Sequence, residues 1–419
     1  MHVLISGASV AGPALAYWLV RYGFDVTVVE RAPALRKAGG HAVDLFRPAM
    51  DIVERMGLLG PVLDHKTGTE RLVMSVPGRA RPVEMDTRRL VAAISDRHVE
   101  IMRDDLGEIL YDATRDDVEY VFADSIAAIG QDGEVRFDSG RARGFDLVIG
   151  ADGLHSNVRR LVFGPESRFT TWIGAYLAVA SVPNHLGLDG RMEGVLDIDR
   201  LAGMYGAAGL DEARALFLFR TPEPLDYHHR DTARQRRLLR EHFADLGWET
   251  PRLLDEADRA EAFYFDSITQ LRLDTWSRGR VSLVGDAGYC PGPAVGGSTS
   301  LAVVGAYVLA GELALAGGDH ERAFPAYEAE IGDYVRRSRA FALSAAKRLV
   351  PRSRLDLWGL AQAVRLLAVL PTTVTRAASK IGAGGARLHD SIRPKDYPAL
   401  LRSASGQHAL GAELGGDLG

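Results

Sequence analysis

Cysteine is almost missing from this chain: Cys290 is the only one in 419 residues. A lone thiol excludes an internal disulfide and a cysteine-rich metal site, and it fits a reducing, cytoplasmic setting. Lysine is scarce too, with Lys37, Lys66, Lys347, Lys380 and Lys395 the full set, so lysine-dependent chemistry has few candidates. No run of about 18 apolar residues occurs, so no segment reads as a membrane span. The apolar N-terminus lacks the basic start of a signal peptide and is broken by glycines. Positive charge is not in surplus. A net charge of −5 offers no attraction to phosphate backbones, and nucleic acid is not an expected partner. No internal repeat is visible.

What is present is an ordinary globular composition, 47% hydrophobic and 25% charged, long enough for two domains. The chain opens with MHVLISGASVAGPALAYWLVRYGFDVTVVER. A short apolar run from His2 to Ser6 reads as a buried parallel strand, Gly12 to Tyr22 as a helix, and Asp25 to Glu30 as a second strand. Strand, glycine turn, helix and strand within about 30 residues make a βαβ unit. Gly7, Ser9 and Gly12 occupy the three places of a G-x-G-x-x-G turn, with serine standing for the second glycine. Such a turn exposes free N–H groups and a partial positive charge at a helix start. Glu30 closes the second strand about 20 residues later, where an acid takes ribose hydroxyls. The turn predicts a dinucleotide without saying which.

Further along, Ala49 to Gly57 and Asp104 to Tyr111 read as helices, and Pro61 to His98 as a polar, strand-like stretch turning at Pro77-Gly78. Val118–Phe122, Ser125–Ile129 and Glu134–Phe137 read as strands, the last two joined by a turn at Gly130–Gly133. The segment "FDLVIGADG" is another buried strand running into glycine. Thr170 to Thr275 changes character, with alternating strands such as "ALFLFR" and one polar helix around Thr232–Leu246. "GRVSLVGDAG" returns to buried-strand composition. Long helices follow at about Ser298–Leu315 and Glu321–Leu349. The amphipathic stretch Leu355–Leu370 reads as a helix packed on its own protein, with a membrane surface or a partner as the alternative, and the small-residue tail beyond about Leu401 as mobile.

Four motifs in order carry a family resemblance over nearly the whole chain, to about residue 395. They are the glycine turn with Glu30-Arg31; Arg103 and Leu106 in "EIMRDDLGEIL"; Asp152-Gly153 followed by Ser156 and Arg159; and Gly285-Asp286 with Pro293. Together they resemble the FAD-dependent aromatic hydroxylases of the p-hydroxybenzoate hydroxylase type, including the tetracycline-inactivating branch. The resemblance implies an α/β fold: a Rossmann-like FAD-binding domain, a mixed-sheet substrate domain and C-terminal helices. The expected division is 1–170 and 276–320 for the FAD-binding domain, with a strand-rich excursion at about 61–98. The substrate domain takes 171–275, the C-terminal helices 321–400 and a flexible tail 401–419.

By the same resemblance, Arg103 contacts the flavin, Asp152-Gly153 serves both FAD and the nicotinamide donor, and Asp286 holds the ribityl chain. A row of hydroxyls suits a carboxylate acceptor. Arg36 matches an arginine near the phosphates, and Asp44 the aspartate of a G-G-x-L-D-L run, here with one extra residue. Gly296, Gly297 and Ser298 stand where the family has G-Q-G. The helix starting near Ser298 then aims its positive end at the flavin edge that becomes anionic on reduction. Cys290 reads as a buried small hydrophobe.

The implied activity is a monooxygenase taking electrons from NADPH or NADH. It hydroxylates a phenolic, polycyclic or other electron-rich small molecule with O2 through a flavin hydroperoxide, in natural-product biosynthesis or antibiotic inactivation. Tyr176, Tyr205, Tyr227, His228 and His229 are available as bases, but no spacing rule selects one, and the catalytic side chain is unassigned. A flavin dehydrogenase or oxidase on the same scaffold, and a ligand-sequestering protein with degenerate flavin loops, are the alternatives. A flavin-dependent halogenase is disfavoured because its W-x-W-x-I-P run is absent. No metal, nucleic-acid or membrane partner is expected, and the oligomeric state is open.

Overall fold

A computed structural model describes residues 1–35, 40–88, 95, 97–130, 132–207, 212–292, 297–348, 350–369 and 392–397, with the backbone alone over 364–369. Arg36, Pro293 and Gly296, and the expected tail, lie outside the described residues.

The apolar N-terminal strand His2–Ser6 sits inside a six-stranded sheet. The order is Ser277–Arg278, Val281–Leu283, Leu147–Gly150, His2–Ser6, Asp25–Glu30, Glu119–Phe122. All neighbours are parallel except the short antiparallel edge at Ser277–Arg278. Near-continuous Val, Leu and Ile in these strands is what a sheet covered on both faces requires. The chain leaves His2–Ser6 toward Asp25–Glu30 on one side and finds Leu147–Gly150 on the other. The order therefore reverses at the first strand, and an α/β sheet opens a ligand crevice at the strand ends of such a point.

A second sheet has seven strands, in the order Phe263–Leu271, Thr170–Pro183, Glu212–Arg220, Arg200–Gly206, Arg191–Asp197, Arg71–Ser75, Val83–Asp86. The polar stretch after Pro61 thus supplies two strands to this sheet, and Gly78 makes their turn with φ +78°. Alternation sorts its faces. Tyr176, Ala178 and Ala180 pack with Phe217, Leu238, Phe243 and Leu253, whereas Ala175, Leu177 and Val179 meet Ala342, Ala346 and Val350.

The polar helix is Thr232–Phe243, and a second, Thr250–Arg259, follows it unforeseen. Pro251 in "TPRLLDEADR" reads as a breaker, but in a first turn proline has no hydrogen bond to lose. The long helices are Ser298–Leu315 and His320–Ala346. The first is apolar and long enough to cross a membrane by composition, and here its side chains are mostly buried between its neighbours.

Candidate functional site

Three of the four motifs follow carboxyl ends of strands in the parallel sheet, where Ser6, Gly150 and Leu283 are register partners, and Arg103 follows His98–Met102, which pairs antiparallel with Ala42–Phe46 in a separate two-stranded sheet. The loops after those strands touch. Gly7 adopts φ +110°, and a Cβ there would meet the Ala151 carbonyl oxygen at 2.5 Å and Asp152 Cα at 3.0 Å. A Cβ on Gly12 would strike the Gly7 carbonyl oxygen. Both glycines are demanded by backbone crowding.

Gly285 adopts φ +66° and lies between two helices, with its absent Cβ 3.2 Å from Ala11 Cβ and 3.3 Å from Ala302 Cβ. The helix Arg103–Asp112 passes the same turn, where a Cβ on Gly107 would stand 3.6 Å from the Ser9 carbonyl oxygen. Four segments distant in sequence therefore meet around residues 7–12.

The donors and acceptors of this cradle are arranged for an anionic, hydroxyl-rich ligand. The helix Ala11–Arg21 has no side-chain cap and no acid in its first turn, and the helix Ser298–Leu315 has neither as well. Two uncapped N-termini leave orphan N–H donors and two positive dipole ends beside one another. Ser9 is exposed at the mouth of the turn, so the serine costs the cradle no packing. Glu30 accepts from Ala8 N–H at 2.9 Å and Ala32 N–H at 2.8 Å, fixing the turn and keeping lone pairs for a ribose. Arg31 is exposed just beyond it.

Asp286 opens a short helix behind Gly285 and accepts from Ser298 Oγ. Its carboxyl is pushed above the usual range by desolvation, partly countered by Ser298, Cys290 and Arg103. Ser298 thereby fastens the Gly-Asp loop to the start of the long helix, a use that a glycine could not supply. Gly297 caps that helix in the left-handed region, with φ +90°. One turn on, Ser300 Oγ donates to the Asp44 carbonyl at 3.1 Å and accepts from Phe46 N–H at 2.9 Å. Asp44 itself faces His98 Nε2 at 2.7 Å.

Asp152 holds the start of the helix that follows its loop. It accepts from Ser156 Oγ, from Asn157 N–H at 2.8 Å and from Val158 N–H at 3.0 Å, capping the helix Asn157–Val162. Burial pushes its carboxyl up against these hydrogen bonds. Gly153 has φ +79° and open space where a Cβ would be. The fully buried Arg159 donates to the Ala287 carbonyl at 2.9 Å and to Glu166 at 2.7 Å, so the third and fourth motifs are bolted together by one guanidinium.

Several residues escape sequence reasoning. Arg103 N–H donates to the His41 carbonyl at 3.1 Å, and Asp104 accepts from Gly40 N–H. The same few residues are held from the seven-stranded sheet, by Arg214 Nε to the Gly40 carbonyl at 3.1 Å and Ala42 N–H to Tyr205 Oη at 3.0 Å. The His41 ring packs on Tyr264 with centroids 5.4 Å apart, between cradle and sheet. Burial, then Arg103, lowers His41 to about 4, so it is neutral at ordinary pH. An arginine inside the apolar run "EARALFLFR" and a histidine after Gly39-Gly40 were the available signals.

The second cluster is His155. Its Nδ1 meets Glu166 at 2.9 Å and its Nε2 meets Asp266 at 3.0 Å. Burial opposes its charge, but the two carboxylates prevail and raise it to about 9. His229 stacks on it at 4.2 Å and, by burial and by His155, falls to about 4. Of the other candidate bases, Tyr176 Oη accepts from Leu225 N–H at 2.7 Å in the sheet core, Tyr227 approaches Asp266 at 3.5 Å, and His228 is exposed.

A doubly wound sheet with a glycine cradle at its switch point, set against a mixed sheet, defines a flavoprotein oxygenase. The family described as the FAD binding domain matches residues 1–341. This chain belongs to that family, and it is an FAD-dependent monooxygenase.

Its likenesses agree. A "flavin-dependent monooxygenase" of Legionella longbeachae is 39% identical over 346 residues, covering 82% of this chain and 88% of the relative. An uncharacterized protein of Mycobacterium tuberculosis is 47% identical over 341 residues, covering 80% of this chain and 91% of its own. The crystal structure of the tetracycline destructase Tet(51) is 34% identical, covers 94% of this chain and 99% of its own, and superposes with a TM-score of 0.80.

Proposed function

We propose that this protein hydroxylates a phenolic, polycyclic or other electron-rich small molecule, using O2 and electrons from NADPH or NADH, in natural-product biosynthesis or antibiotic inactivation. The observation that carries the reading is the meeting of cradle and mixed sheet at residues 40–42, where a planar substrate can lie against the flavin end of the cradle. The similarity to a tetracycline destructase over 94% of the chain supports a polycyclic substrate with enol or phenol oxygens.

The residues fit FAD. We assign Gly7, Ser9, Gly12 and the start of the helix Ala11–Arg21 to the phosphates and Glu30 to a ribose. Asp286 takes the ribityl hydroxyls, and Gly297 with the helix it caps takes the pyrimidine edge. Arg31, Arg36, Asp44, Arg103, Asp152, Gly153, Gly285, Pro293 and Gly296 complete the assigned set. When bound, FAD supplies the redox and oxygen chemistry that side chains lack. The chain's own share is to orient the two ring systems, to keep water out and to present positive dipole ends where negative charge develops. Neutral His41 offers an acceptor nitrogen for a phenolic O–H.

A nicotinamide donor needs a cationic landing place. Arg339 supports one: its Nε and Nη2 are buried with no hydrogen-bond partner among the described residues, and burial followed by the neighbouring Arg272 lowers it to about 10. Two guanidiniums with no ion pair among the described residues, beside the Cys290–Pro291 loop, suit dinucleotide phosphates. The test is oxidation of NADPH and of NADH with a panel of phenols, polyketides and tetracyclines, scored by mass for the gain of one oxygen atom. A product one oxygen heavier supports the reading. Nicotinamide oxidation that yields only hydrogen peroxide with every compound counts against it.

A further inference from the structure

The helix Arg354–Val369 has two unlike faces. Leu357 is buried among Met74, Val76 and Leu196, which anchors the helix to the seven-stranded sheet. Away from it Leu355 is 74% exposed and Trp358, its i+3 neighbour on the same flank, 55%, while Leu360, 41% exposed, lies on a different flank. Among the described residues only Met1, Leu63 and Leu315 are comparable, and those are scattered through the fold. Apolar side chains this bare and this close together call for a partner.

The charges beside them say which kind. Lys347, Arg348, Arg352 and Arg354 are all exposed where this helix is joined to the preceding one, and none forms an ion pair among the described residues. Asp356 accepts from the backbone N–H of Arg352 at 3.1 Å, and Asp199, whose N–H donates to the Pro351 carbonyl at 2.7 Å, is turned to Arg220. In a chain of net charge −5, this corner is a local reversal of sign. An indole and a leucine bordered by cations without ion pairs match the boundary of an anionic bilayer, with apolar groups at headgroup depth and cations on lipid phosphates. Nucleic acid would satisfy the cations but leave Leu355 in water.

We propose that this face docks the enzyme reversibly on anionic phospholipid, with Leu355 and Trp358 inserted and the flanking basic residues paired to headgroups. Neither signal suffices alone: a few apolar side chains or a few cations give weak binding, and together they give useful binding. Docking of this kind would bring the enzyme to apolar substrates dissolved in the bilayer.

The test is sedimentation of the FAD-loaded full chain with vesicles of phosphatidylcholine, with and without phosphatidylglycerol. Binding is expected only with phosphatidylglycerol and is expected to fall as salt rises. The double variant Leu355→Ser/Trp358→Ser, and separately Arg352→Glu/Arg354→Glu, should each weaken it by at least about tenfold. Both sets are surface changes, and unchanged flavin absorbance certifies the fold.

Three results overturn the proposal: no sedimentation above the phosphatidylcholine control, equal binding by both variants, or a wild-type dimer that Leu355→Ser/Trp358→Ser converts to monomer. None of these readouts depends on the substrate or on turnover.

Discussion

Gly285 and Ala11, 274 positions apart in the chain, are in contact: a methyl on the glycine would stand 3.2 Å from the alanine Cβ. Ala302 closes the other side at 3.3 Å. The Gly-Asp loop is thereby wedged between the N-terminal turns of two uncapped helices. Gly285→Val should force these apart and strain a left-handed backbone at a cost of about 1–3 kcal/mol. FAD affinity is expected to fall at least about tenfold, read by titrating apoprotein with FAD. Unchanged affinity would show that the two helix ends do not share a ligand.

Asp286 sets up a trade between stability and binding. Desolvation raises its carboxyl in the folded chain, so ionisation is disfavoured there relative to the unfolded state. A carboxyl with a raised folded pKa destabilises the fold increasingly as pH climbs above its unfolded value. Asp286→Asn should therefore raise the Tm of the apoprotein at neutral pH, by about 2 °C or more. It should also weaken FAD binding about tenfold. Paired thermal melts and FAD titrations check both signs.

His155 carries the pH dependence. Its folded pKa of about 9 lies above the ordinary value of 6.5. The stability it contributes is thus fully present below pH 6.5 and is lost as pH rises through about 9. His155 joins the Asp152-Gly153 loop to Asp266 of the seven-stranded sheet, with Glu166 beside it, so the loss should loosen the contact between the two halves. Denaturant midpoints of wild type should decline across that window by an amount on the order of 2 kcal/mol. His155→Gln should flatten the profile.

At the far end of the helix Ser298–Leu315, Tyr397 is driven into the hollow left by Gly311, where any Cβ would overlap its ring. Its hydroxyl donates to Glu312 at 2.8 Å, and Lys395 donates to the same carboxylate at 2.9 Å. Tyr397→Ala should cost about 3 kcal/mol in unfolding experiments, as other large-to-small core changes do. Tyr397→Phe should cost about 1 kcal/mol, since Lys395 still satisfies Glu312. Equal effects would mean that the ring contributes nothing.

The parallel sheet was legible from sequence because its signals are local: apolar strand, glycine turn, helix. The helices Ala11–Arg21 and Ser298–Leu315 fall where periodicity places them. Thr250–Arg259 was hidden because Pro251 reads as a breaker when its turn position is unknown. The links that assemble the site were hidden for another reason. Arg159 reaching Ala287, Arg214 reaching Gly40 and His155 reaching Asp266 join residues more than a hundred positions apart, and no periodicity carries such pairings. Asp152 adds a local link that its motif does not announce: its carboxylate accepts from Asn157 and Val158 N–H at the start of the next helix.

The central claim is that segments remote in sequence build one cradle for one FAD. Its most direct test is titration of apoprotein with FAD, followed by flavin fluorescence, for wild type and for Gly12→Val and Gly285→Val separately. The account predicts a single saturable site in the wild type and loss of that site in each variant, because each valine breaks a different close contact of the cradle, at the Gly7 carbonyl in one case and between Ala11 and Ala302 in the other. Saturable binding that survives both substitutions would contradict it.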